Sequence, residues 1–384
     1  MSTPTQHAPS SAESSSPWLP PELVSRILTK LWEAPQTPQE RSALLKNITL
    51  VNRTWLTLVA LITSRDVHIS SKRNAHNFLR LLSKTSPIPK ADDLFTTERT
   101  RFANDACRSI TFHVVDGTLS KWPSPLTKEI VAALIMPDPW PSPADDADDA
   151  ISLVLDKISA PDWHLPNLQH ISLRYTDRAF ADVFRHLELG PFPPQVTRLS
   201  IDYSFSIWHL KFIFSQLWME SSDRDDTRGY VPLLAAGDSE TPRRVVSMIP
   251  NLRYLALTSG ATTAFVTAIL PLCPNVETLE ITQPSAVRLE AIGPQVPSAL
   301  RTLVLRHPGA LSWQQLCRWE LCLALDSGLF KFPARGTSSP TTKPRIVVRS
   351  GALDDPLVFM EVRRRCGRFG AELVHERDDD ACSL

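Results

Sequence analysis

Residues 166–175 read PNLQHISLRY, a proline followed by a short run in which apolar and polar side chains alternate. The alternation of Leu168, Ile171 and Leu173 with Gln169, His170, Ser172 and Arg174 is the period-two pattern of a β-strand with one buried face. Four further segments repeat this form: PQVTRLSIDY from 194, PNLRYLALTS from 250, PNVETLEITQ from 274 and PSALRTLVLR from 297, the last with one extra residue after its proline. Their leading apolar positions, Leu168, Val196, Leu252, Val276 and Leu300, are spaced by 28, 56, 24 and 24 residues. The step of 56 reads as two repeats, with SSDRDDTRGY at 221–230 as a loop insertion.

A strand that returns about every 20 to 29 residues as LxxLxL is the sequence form of a leucine-rich repeat. Helical patterns lie between the strands: AFADVFRHLEL (179–189), IWHLKFIFSQLW (207–218), TAFVTAILPLC (263–273) and WQQLCRWELCLAL (313–325). The expectation is an α/β solenoid over 66–384, with a curved, mainly parallel sheet and its clearest repeats at 166–310. DVHISS (66–71) and RSITFHV (108–114) read as irregular first strands, and PRIVVRS (344–350) and AELVHE (371–376) as closing ones, because terminal repeats must cap the core.

Upstream, the polar stretch 1–17 lacks the apolar region of a signal peptide and reads as a disordered tail. Residues 18–65 form a separate helical module. In WLPPELVSRILTKLW (18–32), Leu23, Ile27 and Leu31 make one i, i+4 row and Val24, Leu28 and Trp32 the row beside it. Pro20 and Pro21 open the helix, since first-turn N–H groups have no intrahelical acceptor. A second helical pattern covers about 39–62, with Leu44, Ile48, Leu50, Val51, Trp55, Leu58 and Val59 along one side and a division at Asn52-Arg53. Two apolar rows on the first helix allow two readings: both pack inward, or one is held by another protein.

Composition narrows the function. The chain of 384 residues carries 41 Lys+Arg against 41 Asp+Glu, so no overall field favours nucleic acid or an anionic membrane. Its longest apolar runs fall short of the roughly 20 residues that cross a bilayer, and a soluble protein is expected. Six cysteines without a CxxC pair read as reduced, buried thiols, and Cys317 and Cys322 lack the further ligands of a zinc site. The acidic runs at 145–149 and 378–380 and the basic RRRCGR at 363–368 read as solvated faces or loops. Phosphate-loop, dinucleotide, nucleophile-elbow and zinc-protease signatures are missing, and Asp162-Trp163-His164 has no nucleophile placed beside it. No catalytic residue, metal or cofactor is expected, and weight moves from chemistry to binding.

LPPELVSRILTKLW taken with LVNRTW (50–55) resembles the F-box, through Leu19, Pro20, Glu22, Leu23, Ile27, Leu31, Leu50, Val51, Arg53 and Trp55. The layout of a short F-box before irregular leucine-rich repeats resembles the F-box-like proteins of fungi. The resemblance implies an N-terminal three-helix module that binds a Skp-type adaptor through Leu19, Pro20, Glu22, Leu23, Ile27, Leu31, Leu50, Val51 and Trp55. Through that adaptor it implies a cullin-RING ubiquitin ligase, in which the chain is a non-catalytic substrate receptor, cytoplasmic or nuclear. One departure is the long span PQTPQERSALLKN between the two matched segments. A protein client then falls to the solvent-facing strand positions, among them Arg174, Arg198, Asp202, Tyr254, Thr258, Glu280, Thr282 and Arg306. The alternative is a repeat scaffold without a role in ubiquitin transfer.

Overall fold

The computed structural model describes residues 19–34, 36–82, 104–115, 145–160, 165–176, 192–204, 249–258, 262–282, 284, 287–330 and 343–378. The disordered-tail expectation for 1–17, the helices expected at 179–189 and 207–218, the insertion at 221–230 and the 162–164 triplet lie outside these residues. The chain divides into two compact units, 1–64 and 65–384.

The first unit holds three helices, α1 (Pro21–Glu33), α2 (Pro38–Thr49) and α3 (Arg53–Arg65). Pro21 starts α1 where the backbone donor is dispensable, and the Pro20 carbonyl accepts from Leu23 and Val24 N–H at 3.0 and 3.1 Å. Thr37-Pro38-Gln39-Glu40 opens α2 with a capping box: the Thr37 hydroxyl accepts from Glu40 N–H, and the Glu40 carboxylate accepts from Thr37 N–H at 2.8 Å. Residues 38–47 of the long span between the two segments quoted above are therefore helical. Asn52 stops and restarts the chain, its side-chain oxygen accepting from Trp55 N–H at 3.0 Å. Arg41 ties α2 to the end of α1, donating to the Trp32 carbonyl at 2.6 Å with its guanidinium 4.5 Å from the Trp32 ring centre. Val24, Leu28, Trp32, Ile48, Val59 and Ile62 form the core of this unit. Leu50 and Val51, expected on the same side, are instead exposed, because α2 ends at Thr49 and the pair forms the turn into α3.

The second unit is α/β. Its strands are β1 (Asp66–Ile69), β2 (Ser109–Val115), β3 (His170–Thr176), β4 (Arg198–Ser204), β5 (Tyr254–Thr258), β6 (Thr278–Thr282), β7 (Thr302–Arg306), β8 (Arg345–Ser350) and β9 (Glu372–Arg377). All nine lie in one sheet, every pairing is parallel, and the order in the sheet is the order in the chain. The four atypical end segments at 66–71, 108–114, 344–350 and 371–376 all supply strands. Across the step of 56 residues β4 is bonded directly to β5, with Leu199 opposite Leu255, so no strand stands between them in the sheet.

Described helices of this unit are α4 (Lys72–Leu82), α5 (Asp145–Ile158), α6 (Thr263–Ile269), α7 (Leu289–Ile292), α8 (Trp313–Arg318), α9 (Leu321–Asp326) and α10 (Pro356–Arg368). The acidic run 145–149 lies at the start of α5, the end of a helix whose macrodipole favours acidic residues. One expectation changes here. The single helix expected over 313–325 is broken into α8 and α9, since Glu320 takes a left-handed conformation (φ 44°) between buried Trp319 and Leu321.

One core joins helices and sheet. Residues at the second position of each strand, such as Ile171, Leu199, Leu255, Leu279, Leu303, Ile346 and Leu373, cluster with helix residues including Leu79, Val154, Val266, Ile292, Leu325 and Phe359. Fully burying such side chains contributes about 1.5–3 kcal/mol each.

The prolines have a specific task. In Leu165–Leu168, Pro193–Val196, Ile249–Leu252 and Cys273–Val276 the last residue donates its N–H to the carbonyl of the first, at 3.0 to 3.3 Å. Proline occupies the second position of each turn, where its φ is preset. In the fifth repeat the turn is Pro297–Leu300, so proline stands one place earlier, which accounts for the extra residue. Asn167, Asn251 and Asn275 follow the prolines and donate sideways to the carbonyls of Asp105, Pro194 and Pro250 at 2.6 to 2.8 Å. Next to each turn, two consecutive N–H groups donate to one carbonyl of the preceding strand's lead, as Thr197 and Arg198 do to Gln169. Each turn is thus pinned to the one before it.

Candidate functional site

Two surfaces answer to the residues singled out in the sequence, one on each unit. On α1 the two apolar rows have opposite fates. Val24, Leu28 and Trp32 are buried at 2, 2 and 6 % exposure, whereas Leu23, Ile27 and Leu31 are 44, 44 and 41 % exposed. Leu19, just before the helix, and Leu50 and Val51, in the turn after α2, are also exposed, as are Pro20 and Glu22. Trp55 is half-buried and packs on the small core. Eight of the nine residues matched to the F-box surface therefore face solvent. A marginal core of six buried residues beside an uncovered apolar row is an arrangement that burial by a partner would complete.

On the second unit, the strand positions between the core-facing ones form the opposite face of the sheet. Register places His170 opposite Arg198, Arg198 opposite Tyr254 and Tyr254 opposite Thr278 in a first row. Ser172, Ser200, Ala256, Glu280, Val304 and Val347 follow in a middle row, and a third row runs through Arg174, Asp202 and Thr258, then Thr282, Arg306 and Arg349. All eight expected client-facing residues lie on this face: Arg198 and Tyr254 in the first row, Glu280 in the middle, and Arg174, Asp202, Thr258, Thr282 and Arg306 in the third. Middle-row side chains are covered by the long ones on either side, and Ser172, Ala256, Glu280, Val304 and Val347 are each 5 % exposed or less.

Glu280 was expected to be solvated and is instead the centre of a network. Its carboxylate accepts from the Tyr254 hydroxyl and lies 3.7 Å from Arg349. Arg349 also donates to Glu376 at 3.1 Å, and Arg345 reaches the same carboxylate at 3.4 Å. Burial, reinforced by the hydrogen bond to Glu280 and that group's charge, pushes the Tyr254 phenol up to about 12. Arg306 makes a forked pair with Asp378, at 2.6 and 3.1 Å. Asp378, expected in a solvated acidic run, is 8 % exposed. Sequence reasoning placed Asp378 only in an acidic run and did not single out Arg345, Arg349 or Glu376, though these three stand at the same strand positions as residues that it did.

Nearer β3 the chemistry differs. His170 shares a hydrogen bond with the Ser200 hydroxyl at 2.9 Å, and burial together with the charges of Arg198 and Arg174 lowers its pKa to about 4, so it is neutral at pH 7. The Arg198 guanidinium lies 4.2 Å from the Tyr254 ring centre. Toward β1, His68 Nδ1 and His113 Nε2 are 2.9 Å apart, and Ser109 donates to Asp66 at 2.7 Å.

Elsewhere, the basic run on α10 is partly neutralised in place, as Glu361 accepts from Arg364 and Arg365 at 2.8 Å and those bonds hold its carboxyl down at about 2. Cys107, Cys273, Cys317, Cys322 and Cys366 are free thiols, and burial pushes Cys107, Cys273 and Cys366 up to about 12, far from the reactive thiolate form. Among the described residues no three His, Cys, Asp or Glu side chains gather as metal ligands, and no helix is long and apolar enough to cross a membrane.

Fold and surfaces together define an α/β protein with a sequentially ordered parallel sheet, one ionic face and a separate three-helix unit. A scan against protein-family models finds no match, and a search of curated proteins finds no relative of significant similarity.

Proposed function

We propose that the chain is a non-catalytic substrate receptor of a Skp-cullin-F-box type ubiquitin ligase. In this reading α1 to α3 are an F-box that docks on the Skp-type adaptor, and the second unit is a leucine-rich-repeat-like solenoid whose ionic sheet face holds a protein client. The observation that carries the proposal is the split of α1 into a buried row and an exposed row, with the exposed row formed by the residues that match the F-box: Leu23, Ile27 and Leu31, preceded by Leu19. An amphipathic helix with a free apolar row is suited to lie in the groove of a partner. The strand order, with each unit bonded to the next in the chain, supports the solenoid reading.

Co-purification with a Skp-type adaptor and its cullin tests the proposal. The wild-type chain is expected to recover both, and Leu23→Asp combined with Ile27→Asp to abolish recovery without lowering the melting temperature. Recovery that survives this pair of changes sinks the F-box reading. Adaptor binding without cullin, and with no client whose lifetime changes, favours the scaffold alternative.

A further inference from the structure

The arginines of the ionic face fall into two groups. On β7 and β8 they are spent: Arg306 is held by Asp378, Arg345 by Glu376, and Arg349 by Glu376 and Glu280. On β3 and β4, among the described residues, neither Arg174 nor Arg198 has a carboxylate within ion-pairing distance. Asp202 stands opposite Arg174 in the ladder and has an interaction of its own. Stacking of Arg198 over Tyr254 occupies the flat face of its guanidinium and leaves the in-plane N–H donors unspent. Between the two arginines lie Ser172, Ser200 and His170, none of which carries charge at pH 7, and both arginines are near enough to depress the protonation of His170. This end of the face therefore carries two arginines with unused donors against one carboxylate, Asp202, in a chain whose net charge is zero.

We propose that β3 and β4 are the anchor for an acidic segment of the client, a stretch of chain carrying Asp or Glu side chains, which Arg174 and Arg198 grip by charge-assisted, forked hydrogen bonds. The four-residue offset between Arg174 and the position opposite Arg198 separates the two backbone positions by about 13 Å along the strands, a spacing that suits two acidic residues rather than one. The self-paired network on β5 to β9 then acts as a neutral, rigid continuation of the same surface. This inference rests on the reading of the sheet face as the client surface.

Fluorescence anisotropy with the full-length protein tests it, using a short glutamate-rich peptide in a Gly-Ser background, its glutamine counterpart and a counterpart with phosphoserine at the glutamate positions. The glutamate peptide is expected to bind, to weaken as salt is raised, and to lose about tenfold or more in affinity in the Arg174→Gln, Arg198→Gln double variant. Arg174→Lys with Arg198→Lys keeps the charge and is expected to fall between the two, which separates a lost contact from a lost fold. Arg345→Gln, in the paired region, is expected to change affinity by less than about twofold. Equal binding of the glutamate and glutamine peptides overturns the proposal, as does binding of the phosphoserine peptide alone, or wild-type affinity in the double variant. Adaptor recovery is measured on the same preparations: intact recovery with no peptide preference removes this inference alone, whereas peptide binding without adaptor recovery removes the ligase reading and leaves the acidic-segment site standing.

Discussion

The two units solve the problem of burying apolar surface in opposite ways. In the second, nine strands and the helices that cover them share one core, and strand positions such as Leu255, Leu279 and Leu303 are 0 % exposed. In the first, three helices bury six apolar residues and leave seven large apolar ones at 41 % exposure or more: Leu19, Leu23, Ile27, Leu31, Leu50, Val51 and Leu61. A sheet that grows by adding neighbours completes its own core, and a module of three short helices does not. What the difference teaches is where each unit has room for a partner: an apolar row on the helices, and only polar or charged side chains on the sheet.

Core truncation tests this contrast most strongly. Leu279→Ala in the sheet is expected to cost about 3–4 kcal/mol, since its packed surroundings cannot close the cavity, and Leu28→Ala about 2–3 kcal/mol, since it borders an apolar cleft lined by Trp32, Leu44, Ile48 and Val59. Chemical denaturation reports both, and an equal cost at the two sites breaks the comparison. Next in size, Glu280→Ala strands the Tyr254 hydroxyl and one side of Arg349 and is expected to cost about 2 kcal/mol, with Glu280→Gln costing less because it still accepts from Tyr254.

Acid provides a comparable test on β3. Because the pKa of His170 is about 4 in the folded chain against an ordinary 6.5, the unfolded chain binds the proton more readily. Stability is therefore complete above pH 6.5 and declines as pH falls toward 4, by about 3 kcal/mol from this residue. Melting curves across that window should flatten in His170→Gln, and an unchanged slope would contradict the assignment. Smaller still, Thr37→Ala removes one half of the capping box on α2 and is expected to cost about 1 kcal/mol. The smallest effect is the most pointed one: Ile27→Ala should change stability by less than about 0.5 kcal/mol while weakening any partner on α1.

Legibility in the sequence followed the range of the interactions. Strand positions and the two rows of α1 are local patterns of period 2 and 3.6, and the structure has strands and helix where those patterns lie. The halt at Asn52 and the capping box at Thr37 to Glu40 are likewise written within four residues. The network of Glu280 is not: Arg349 follows it by a long stretch of chain and reaches it, and Glu376 reaches Arg349, only because β6, β7, β8 and β9 are neighbours in register. The break at Glu320 escaped notice because a left-handed residue without glycine leaves no compositional mark. Reading the 56-residue step as two repeats assumes that equal repeats fill the chain, whereas β4 and β5 are direct neighbours in the sheet. The asparagines after the prolines offered a signal that was there to be used, since Asn167, Asn251 and Asn275 recur at one position of the repeat.

Those asparagines and the turns they link have an evolutionary consequence. Strands are aligned by contacts between successive turns, not by the segments that join one strand to the next. Contour length between strands is thereby uncoupled from pitch across the sheet, and doubling a connection costs only about 0.6 kcal/mol in closure entropy. A step of 56 residues can stand beside steps of 28 and 24 without shifting one ladder pair. Descendants of such a chain can lengthen or exchange their connections while the side chains on the ionic face keep their aim.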